Sequence, residues 1–469
     1  MKLKIIHTND VHSSYENFAR AASMIKELKD ENTLLLDGGD FADFKSIELQ
    51  GTRGVAALEL LQSTGYDALT IGNNEMFNGI ETLEHMATTS PLPFISNNLR
   101  KKDGSEIQGV VKSTILHKNS LRILVTGASP DMDVFNDGLG ISVSNYVTMT
   151  QQEILSRTGS YDICILLSHV GTAADEELAR TIPEIDVVIS AHDHQLYSEA
   201  NLVNETIMNS AGNYAEHIGV IELEVANGKV ELLHSATNST KDAAPDSVVM
   251  DILKDNKAKA LASLGKSLYD LPEPLWHDVI EENPLTNLIA DGLRDMMQCD
   301  IGLINSGITN AGLFHNISRQ KLIEVCPSPL NPTSFEVQGK QLKKAFTQSL
   351  DAQACLADGR GPGFRGKFVG RLHISGATII HDGKRVQDIL IDGESIQDER
   401  WYKVASSDYL QRGSGYPDLA ENRNQVYMAE EIKDVIQLYA NQPKFLEQAF
   451  KMRSERQAEH AELGSPHFL

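Results

Sequence analysis

Short apolar runs alternate with amphipathic stretches through the first half of the chain. The runs at residues 3–6, 33–36, 68–71, 93–96, 123–126, 163–167 and 187–190 have the length and bounds of buried strands. Between the first two, Phe18, Ala21, Ala22, Ile25 and Leu28 fall on one face, the spacing of a buried helical stripe. Strands separated by such helices predict a layered α/β or αββα domain. After Asn209 the pattern changes to alternation at Ile218, Ile221, Leu223 and Val225, which predicts antiparallel strands closing this domain near residue 240.

Residues 238–246 are small and polar, and a helix is predicted over 248–264 with Ile252, Leu253, Leu261 and Leu264 available for packing. This stretch reads as an interdomain connector. A second unit opens with an amphipathic helix presenting Leu285, Leu288, Ile289, Leu293 and Met296. The expected organisation is a domain over 1–240, a helical linker over 241–270, a smaller α/β domain over 271–425 and a helical tail over 426–469. The tail becomes strongly polar after Lys451, and its last dozen residues are expected to be disordered.

Length agrees with this division, because 469 residues exceed what one hydrophobic core serves. Charge narrows the partners. A formal net charge of -23 repels nucleic-acid polymers and anionic membrane surfaces. Small phosphate esters stay compatible, since bound divalent ions reverse the local sign of a site. No stretch has the apolar length of a spanning helix and the first residues lack a signal core, so a soluble, cytoplasmic protein is expected. Cys164, Cys299, Cys326 and Cys355 are scattered and expected to be reduced. Nothing in the sequence fixes an oligomeric state.

Five segments carry chemistry, each following a predicted strand: Asp10-Val11-His12, Gly38-Gly39-Asp40, Gly72-Asn73-Asn74-Glu75, Ser168-His169 and His192-Asp193-His194. Side chains just beyond the carboxyl ends of strands project into a common crevice, so segments distant in sequence meet there. Alone, each reads equally well as a turn, a cap or a solvated pair. Together, Asp10, His12, Asp40, Asn73, His169, His192 and His194 supply carboxylate, imidazole and amide oxygen, a donor set suited to Zn, Mn, Fe or Co. Seven donors are too many for one tetrahedral ion. Two divalent ions sharing one carboxylate use them all, and Asp40 is the expected bridge because Gly38 and Gly39 leave room beside it. Such a pair activates a bridging hydroxide for in-line attack on phosphorus.

These segments resemble the calcineurin-like metallophosphoesterases, specifically the two-domain bacterial 5'-nucleotidases. His7-Thr8-Asn9-Asp10-Val11-His12, Asp37-Gly38-Gly39-Asp40, Gly72-Asn73, Ser168-His169-Val170-Gly171 and His192 with His194 are similar to that family's blocks. Residues 282–291 and 337–342 resemble its C-terminal domain. The resemblance implies a four-layer αββα metallophosphoesterase domain followed by a smaller α/β nucleotidase-type domain. It implies that Asp10, His12, Asp40 and His194 hold one ion, and Asp40, Asn73, His169 and His192 the other. It also implies a nucleotide-like substrate held between domains that rotate, with nucleotide catabolism as the role.

Departures from the family bear on the substrate. Where the family has a phosphate-contacting His supported by an Asp, this chain has Asn74 and Phe77. An amide can donate to a phosphate oxygen but carries no charge, so transition-state stabilisation is expected to weaken. In the second domain Ser306-Gly307-Ile308-Thr309 lacks the family's arginine, and Arg412-Gly413-Ser414-Gly415-Tyr416 lacks its aspartate. Substitute substrate contacts are expected from Arg365 and Lys367 on a glycine-rich loop, with Tyr409 and Tyr416 stacking on a base. Two rival readings follow: a phosphodiesterase or pyrophosphatase for cyclic nucleotides or dinucleotides, and a metal- and nucleotide-binding module of weak activity.

Overall fold

A computed structural model describes residues 1–226 and 228–457. The chain divides into two units, Met1–Ser263 and Leu264–Leu469. All seven predicted strands of the first unit are present. Its first sheet runs in the order Lys229–Ser239, His217–Ala226, Lys2–Thr8, Thr33–Asp37, Ala68–Thr70, Phe94–Ile95 and Val110–Val111. Lys2–Thr8 lies parallel to Thr33–Asp37, with Ile5 opposite Leu34 and Thr8 opposite Asp37, and antiparallel to His217–Ala226. The second sheet has the order Asn201–Val203, Thr206–Asn209, Val187–Ser190, Ile163–Ser168, Leu121–Ala128 and Ser113–Lys118.

Alternation along each strand sorts the side chains between layers. Ile5, Leu34 and Leu36 of the first sheet share one fully buried cluster with Val125, Ile165, Leu167 and Ile189 of the second, so the two sheets pack face to face. On the outer face of the second sheet, Leu124, Leu166 and Val188 meet Ile154, Leu178 and Ile182 from its helices. The helix Tyr15–Leu28 buries Phe18, Ala21, Ala22 and Ile25 of the expected stripe, while Leu28 at its end is exposed. The result is the four-layer αββα arrangement. Its register matters for chemistry, because Ser168 pairs with Ser190 and both strands therefore end at one level.

The connector helix Ser247–Leu264 lies against the first unit instead of standing free. Its buried residues are Val249, Asn256, Ala260 and the expected Leu264, while Leu261, also expected to pack, is 37% exposed. The stripe tolerates a polar residue because Asn256 Nδ2 donates to Glu59 Oε2 at 2.6 Å. Ala260 sits so close to Gly51 that a Cβ there would lie 2.4 Å from its Cα.

The second unit contains a five-stranded sheet in the order Leu372–Ser375, Ile301–Asn305, Trp401–Ser407, Pro332–Gln338 and Asn422–Tyr427. Its entry helix, Pro284–Met297, starts with proline in the first turn and with Asn283 accepting from the Thr286 N–H at 3.0 Å. Leu285, Leu288, Ile289 and Leu293 are completely buried in it. The stretch expected as a separate helical tail is part of this core. Helices Ile432–Tyr439 and Pro443–Ala449 contribute Ile432, Val435, Ile436 and Phe445, and Ser454–Arg456 adds a parallel strand beside Ala377–His381. The polar composition after Lys451 concealed that strand. Arg453 anchors it by donating to Asp291 Oδ2 at 2.6 Å. The expected disorder of the last dozen residues lies outside the described residues.

No helix among the described residues is long and apolar enough to cross a membrane. All four cysteines are free and buried.

Because Ile436 is completely buried in the second core, Ile436→Ala is expected to cost about 2 to 5 kcal/mol of that unit's stability, read from urea unfolding. A change below about 0.5 kcal/mol would return these helices to the status of an appendage.

Candidate metal centre

The five predicted segments meet at the carboxyl ends of the two sheets. Asp10 is fully buried, with Oδ1 3.7 Å from His194 Nε2, 3.8 Å from His169 Nε2 and 3.9 Å from His12 Nε2. Asp40 Oδ2 lies 3.3 Å from His169 Nε2 and 3.6 Å from His12 Nε2. The nitrogens His12 Nε2 and His194 Nε2 are 3.1 Å apart. Two ligand groups result, Asp10 with His12 and His194, and Asp10 with Asp40 and His169. Asp10 is their common member, and Asp40 touches a histidine of each. Asn73 and His192 complete the set as a pair, the amide oxygen 3.0 Å from His192 Nδ1, with the His192 ring 5.2 Å from that of His169.

This arrangement carries backbone strain. Asp10, His12, Ser13, Asp40, His192 and His194 all have φ between 48° and 82°, a left-handed region that side chains with a Cβ rarely adopt. Each such residue costs about 1 to 3 kcal/mol and persists only where its surroundings enforce it. Glycine is required where the loops cross. A Cβ at Gly72 would lie 2.1 Å from Asp40 Oδ1, and one at Gly39, whose φ is 92°, would lie 2.8 Å from His169 Nδ1.

Glu75 was quoted within its segment without a role, and the structure gives it one. Its buried carboxylate accepts the backbone N–H groups of Gly72 at 2.9 Å, Asp40 at 3.1 Å and Ala42 at 2.9 Å, clamping two ligand loops together. Burial and the Asp40 charge push its pKa up to about 7. Asn9 does similar work. It donates to Asp10 Oδ2 at 2.9 Å and to Gly212 O at 2.7 Å, and accepts the Ala211 N–H at 2.9 Å. Asp193 turns from the centre to accept the Thr172 N–H at 2.7 Å, at the start of helix Thr172–Thr181. The only signal for these roles was adjacency to a ligand.

The donors fit divalent ions on one decisive observation. His169 Nδ1 lies 2.8 Å from Gly38 O and donates to it, which turns Nε2 toward Asp10 and Asp40. That nitrogen is buried without a hydrogen-bond partner. Burial opposes a charge on His169, yet the Asp40 and Asp10 carboxylates outweigh it and raise the pKa to about 10, a field that favours any cation. His169 and His12 in turn hold the Asp40 carboxyl well below the usual range, although burial opposes this.

Asn74 is drawn into the centre. Its backbone N–H donates to Asp40 Oδ1 at 2.8 Å, and its amide nitrogen lies 2.7 Å from Asp40 Oδ2 and 3.1 Å from His12 Nδ1. The amide nitrogen thus lies against two residues of the centre. Phe77, one helical turn on, is 39% exposed and packs edge-on against Phe135 at 5.8 Å.

The expected substrate contacts of the second unit fare differently. Tyr409 and Tyr416 are completely buried, so neither ring offers a face to a base. Phe364 stacks on Tyr409 at 4.3 Å, and the Tyr416 hydroxyl donates to Gly370 O at 2.6 Å. Tyr409 follows the buried end of strand Trp401–Ser407 and Tyr416 precedes the turn Pro417–Ala420, and packing took both. Arg365 and Lys367 are exposed, the guanidinium donating to Phe364 O at 3.1 Å and the ammonium lying 4.9 Å from the Phe368 ring centre.

Comparison with known proteins places both units. Residues 3–196 match the calcineurin-like phosphoesterase family, and residues 269–421 match the 5'-nucleotidase C-terminal domain. The chain is 29% identical to the uncharacterized metallophosphoesterase YunD of Bacillus subtilis, over 93% of this chain and 98% of that protein. It is 24% identical to the trifunctional nucleotide phosphoesterase YfkN of the same organism, over 89% of this chain, and spans 32% of that longer protein. Among solved structures, the Haemophilus influenzae NAD nucleotidase has the same fold, with a TM-score of 0.69 at 14% identity, covering 98% of this chain and all of that one. The chain belongs to the two-domain 5'-nucleotidase family of metal-dependent phosphoester hydrolases.

Proposed function

We propose that the chain hydrolyses nucleotide phosphomonoesters at the centre formed by Asp10, His12, Asp40, Asn73, His169, His192 and His194. The carrying observation is the buried, unpartnered His169 Nε2 facing two carboxylates. Family membership supports ester hydrolysis. The nucleotide reading is supported by the match to a 5'-nucleotidase C-terminal domain and by the name of the Bacillus subtilis nucleotide phosphoesterase.

Two divalent ions, Mn, Zn, Fe or Co, would be held by these residues and would supply Lewis acidity and an activated water. The chain's own groups perform the remaining work. His169 and His12 present Nε2 toward the shared carboxylates, and the Gly38 carbonyl keeps His169 in the required tautomer. Asn74 aligns Asp40 and His12. Glu75 fixes the distance between the Asp40 loop and the Gly72–Asn74 turn.

Nucleoside monophosphates, bis(p-nitrophenyl) phosphate and pyrophosphate, each assayed with added manganese, test the proposal. The monophosphates are expected to turn over fastest, with loss of activity on chelation and recovery on metal return. A panel with no turnover would end the hydrolase proposal, and faster diester cleavage would select the phosphodiesterase instead. Asp40→Ala is expected to bring bound metal below one ion per chain by elemental analysis, and two retained ions would show that Asp40 is not shared. Asn74→Ala, which removes contacts to two ligands, is expected to weaken manganese binding about 10- to 100-fold by calorimetric titration. Unchanged affinity would mean that the amide does not position the ligands.

A further inference from the structure

Ester cleavage places negative charge on the phosphoryl oxygens, and enzymes meet it with donors aimed there in advance. In this chain the position that resembles the family's charged dyad is occupied by neutral Asn74 and apolar Phe77. The Asn74 amide nitrogen already donates to Asp40 Oδ2 and lies 3.1 Å from His12 Nδ1. A side-chain cation beside the centre would restore the charge that this position lacks.

Lys45 lies five residues beyond Asp40, on the segment leading into helix Ile47–Thr52. Its Nζ is 3.0 Å from Asp43 Oδ2, and that oxygen is 3.8 Å from His12 Nδ1. The ammonium is therefore no farther from His12 Nδ1 than those two contacts laid end to end. A second path leads to the same place. Lys45 Nζ lies 5.7 Å from the centre of the Tyr214 ring, which packs edge-on against His12 at 5.7 Å and His194 at 5.9 Å.

Both supports are themselves fixed. Ser13, adjacent to His12, donates from Oγ to Asp43 O at 2.8 Å and accepts the Asp43 N–H at 2.9 Å. Tyr214 has a left-handed φ of 56°, held by its N–H donating to Asp10 O at 2.8 Å and by Asn17 Nδ2 donating to its carbonyl at 3.1 Å. An exposed Lys–Asp pair is by itself an ordinary surface feature. A strained tyrosine lying against two ligand histidines and under the same ammonium is not.

We propose that Lys45 is a catalytic residue whose ammonium meets a non-bridging oxygen of the bound phosphoryl group, with Asp43 and Tyr214 as its positioning residues. The role rests on the phosphoester hydrolase reading and on no particular leaving group. An ammonium has three N–H donors and Asp43 takes one, which leaves donors for the ester. Lys45 acts by charge, and no bond to it forms or breaks.

Chemical replacement of the charge provides the test, because the four native cysteines are buried and an introduced exposed cysteine is the group that alkylates. Lys45→Cys is expected to lower kcat/KM for p-nitrophenyl phosphate and for a nucleoside monophosphate about 100-fold, with unchanged metal content. Treatment with 2-bromoethylamine, which forms a thioether ending in an ammonium and releases bromide, is expected to restore activity to within tenfold. Iodoacetamide, which adds a neutral group, is expected to restore none. Lys102→Cys, on the exposed lysine paired with Asp137, serves as the control for both reagents. Full activity of Lys45→Cys, equal rescue by both reagents, or metal loss in the variant would each overturn the role of Lys45. Absence of turnover in the unaltered protein would instead remove the hydrolase reading on which it stands.

Discussion

Two aspartates brought together out of water are the constraint around which the first unit is organised. Asp10 and Asp40 are both within 4 Å of the same two histidine nitrogens, and both are almost entirely buried. Like charges at that separation in a dry interior repel strongly unless positive charge and directed N–H groups surround them. The imidazoles of His12, His169 and His194 supply the first requirement when protonated or when sharing a cation. The backbone of His192, the amide of Asn9 and both N–H groups of Asn74 supply the second. The parallel register of Ile163–Ser168 and Val187–Ser190, and of Lys2–Thr8 and Thr33–Asp37, delivers these groups to one level. Glycines at 39 and 72 then let the loops approach.

Much of this was legible because strand ends in α/β sheets carry function and because metal-ligating residue types are scarce. Apolar runs of four or five residues located the strands, and a polar ligand type after five of the seven located the centre. What escaped has a common physical origin, since a side chain's partner is not written beside it. Tyr409 looked like a stacking platform, yet Phe364 covers it from a loop 45 residues away in sequence. Glu75 looked incidental because its partners are backbone N–H groups, which leave no trace in the order of side chains. The connector helix hid its packed face behind Asn256, and the final strand hid behind charged residues.

The Asn74 and Phe77 exchanges now have distinct structural meanings. Asn74 turns inward and becomes part of the scaffolding of Asp40 and His12. Phe77 faces outward and shares an edge-on contact with Phe135. A charged dyad directed at substrate is thus replaced by one residue serving the ligands and one serving an apolar wall. The same loop that carries Asp40 also carries Asp43 and Lys45, so three charged groups next to the centre move together if that segment shifts.

The left-handed conformations of Asp10, His12, Asp40, His192 and His194 are a load that unfolding releases, concentrated where ions would bind. Binding to the folded form alone adds RT ln(1 + [L]/Kd) to stability, about 2.7 kcal/mol at a hundredfold excess over Kd. The melting temperature of such a protein is consequently a gauge of the free metal around it. Starved of metal, the first unit would lose that contribution and open more readily to proteases.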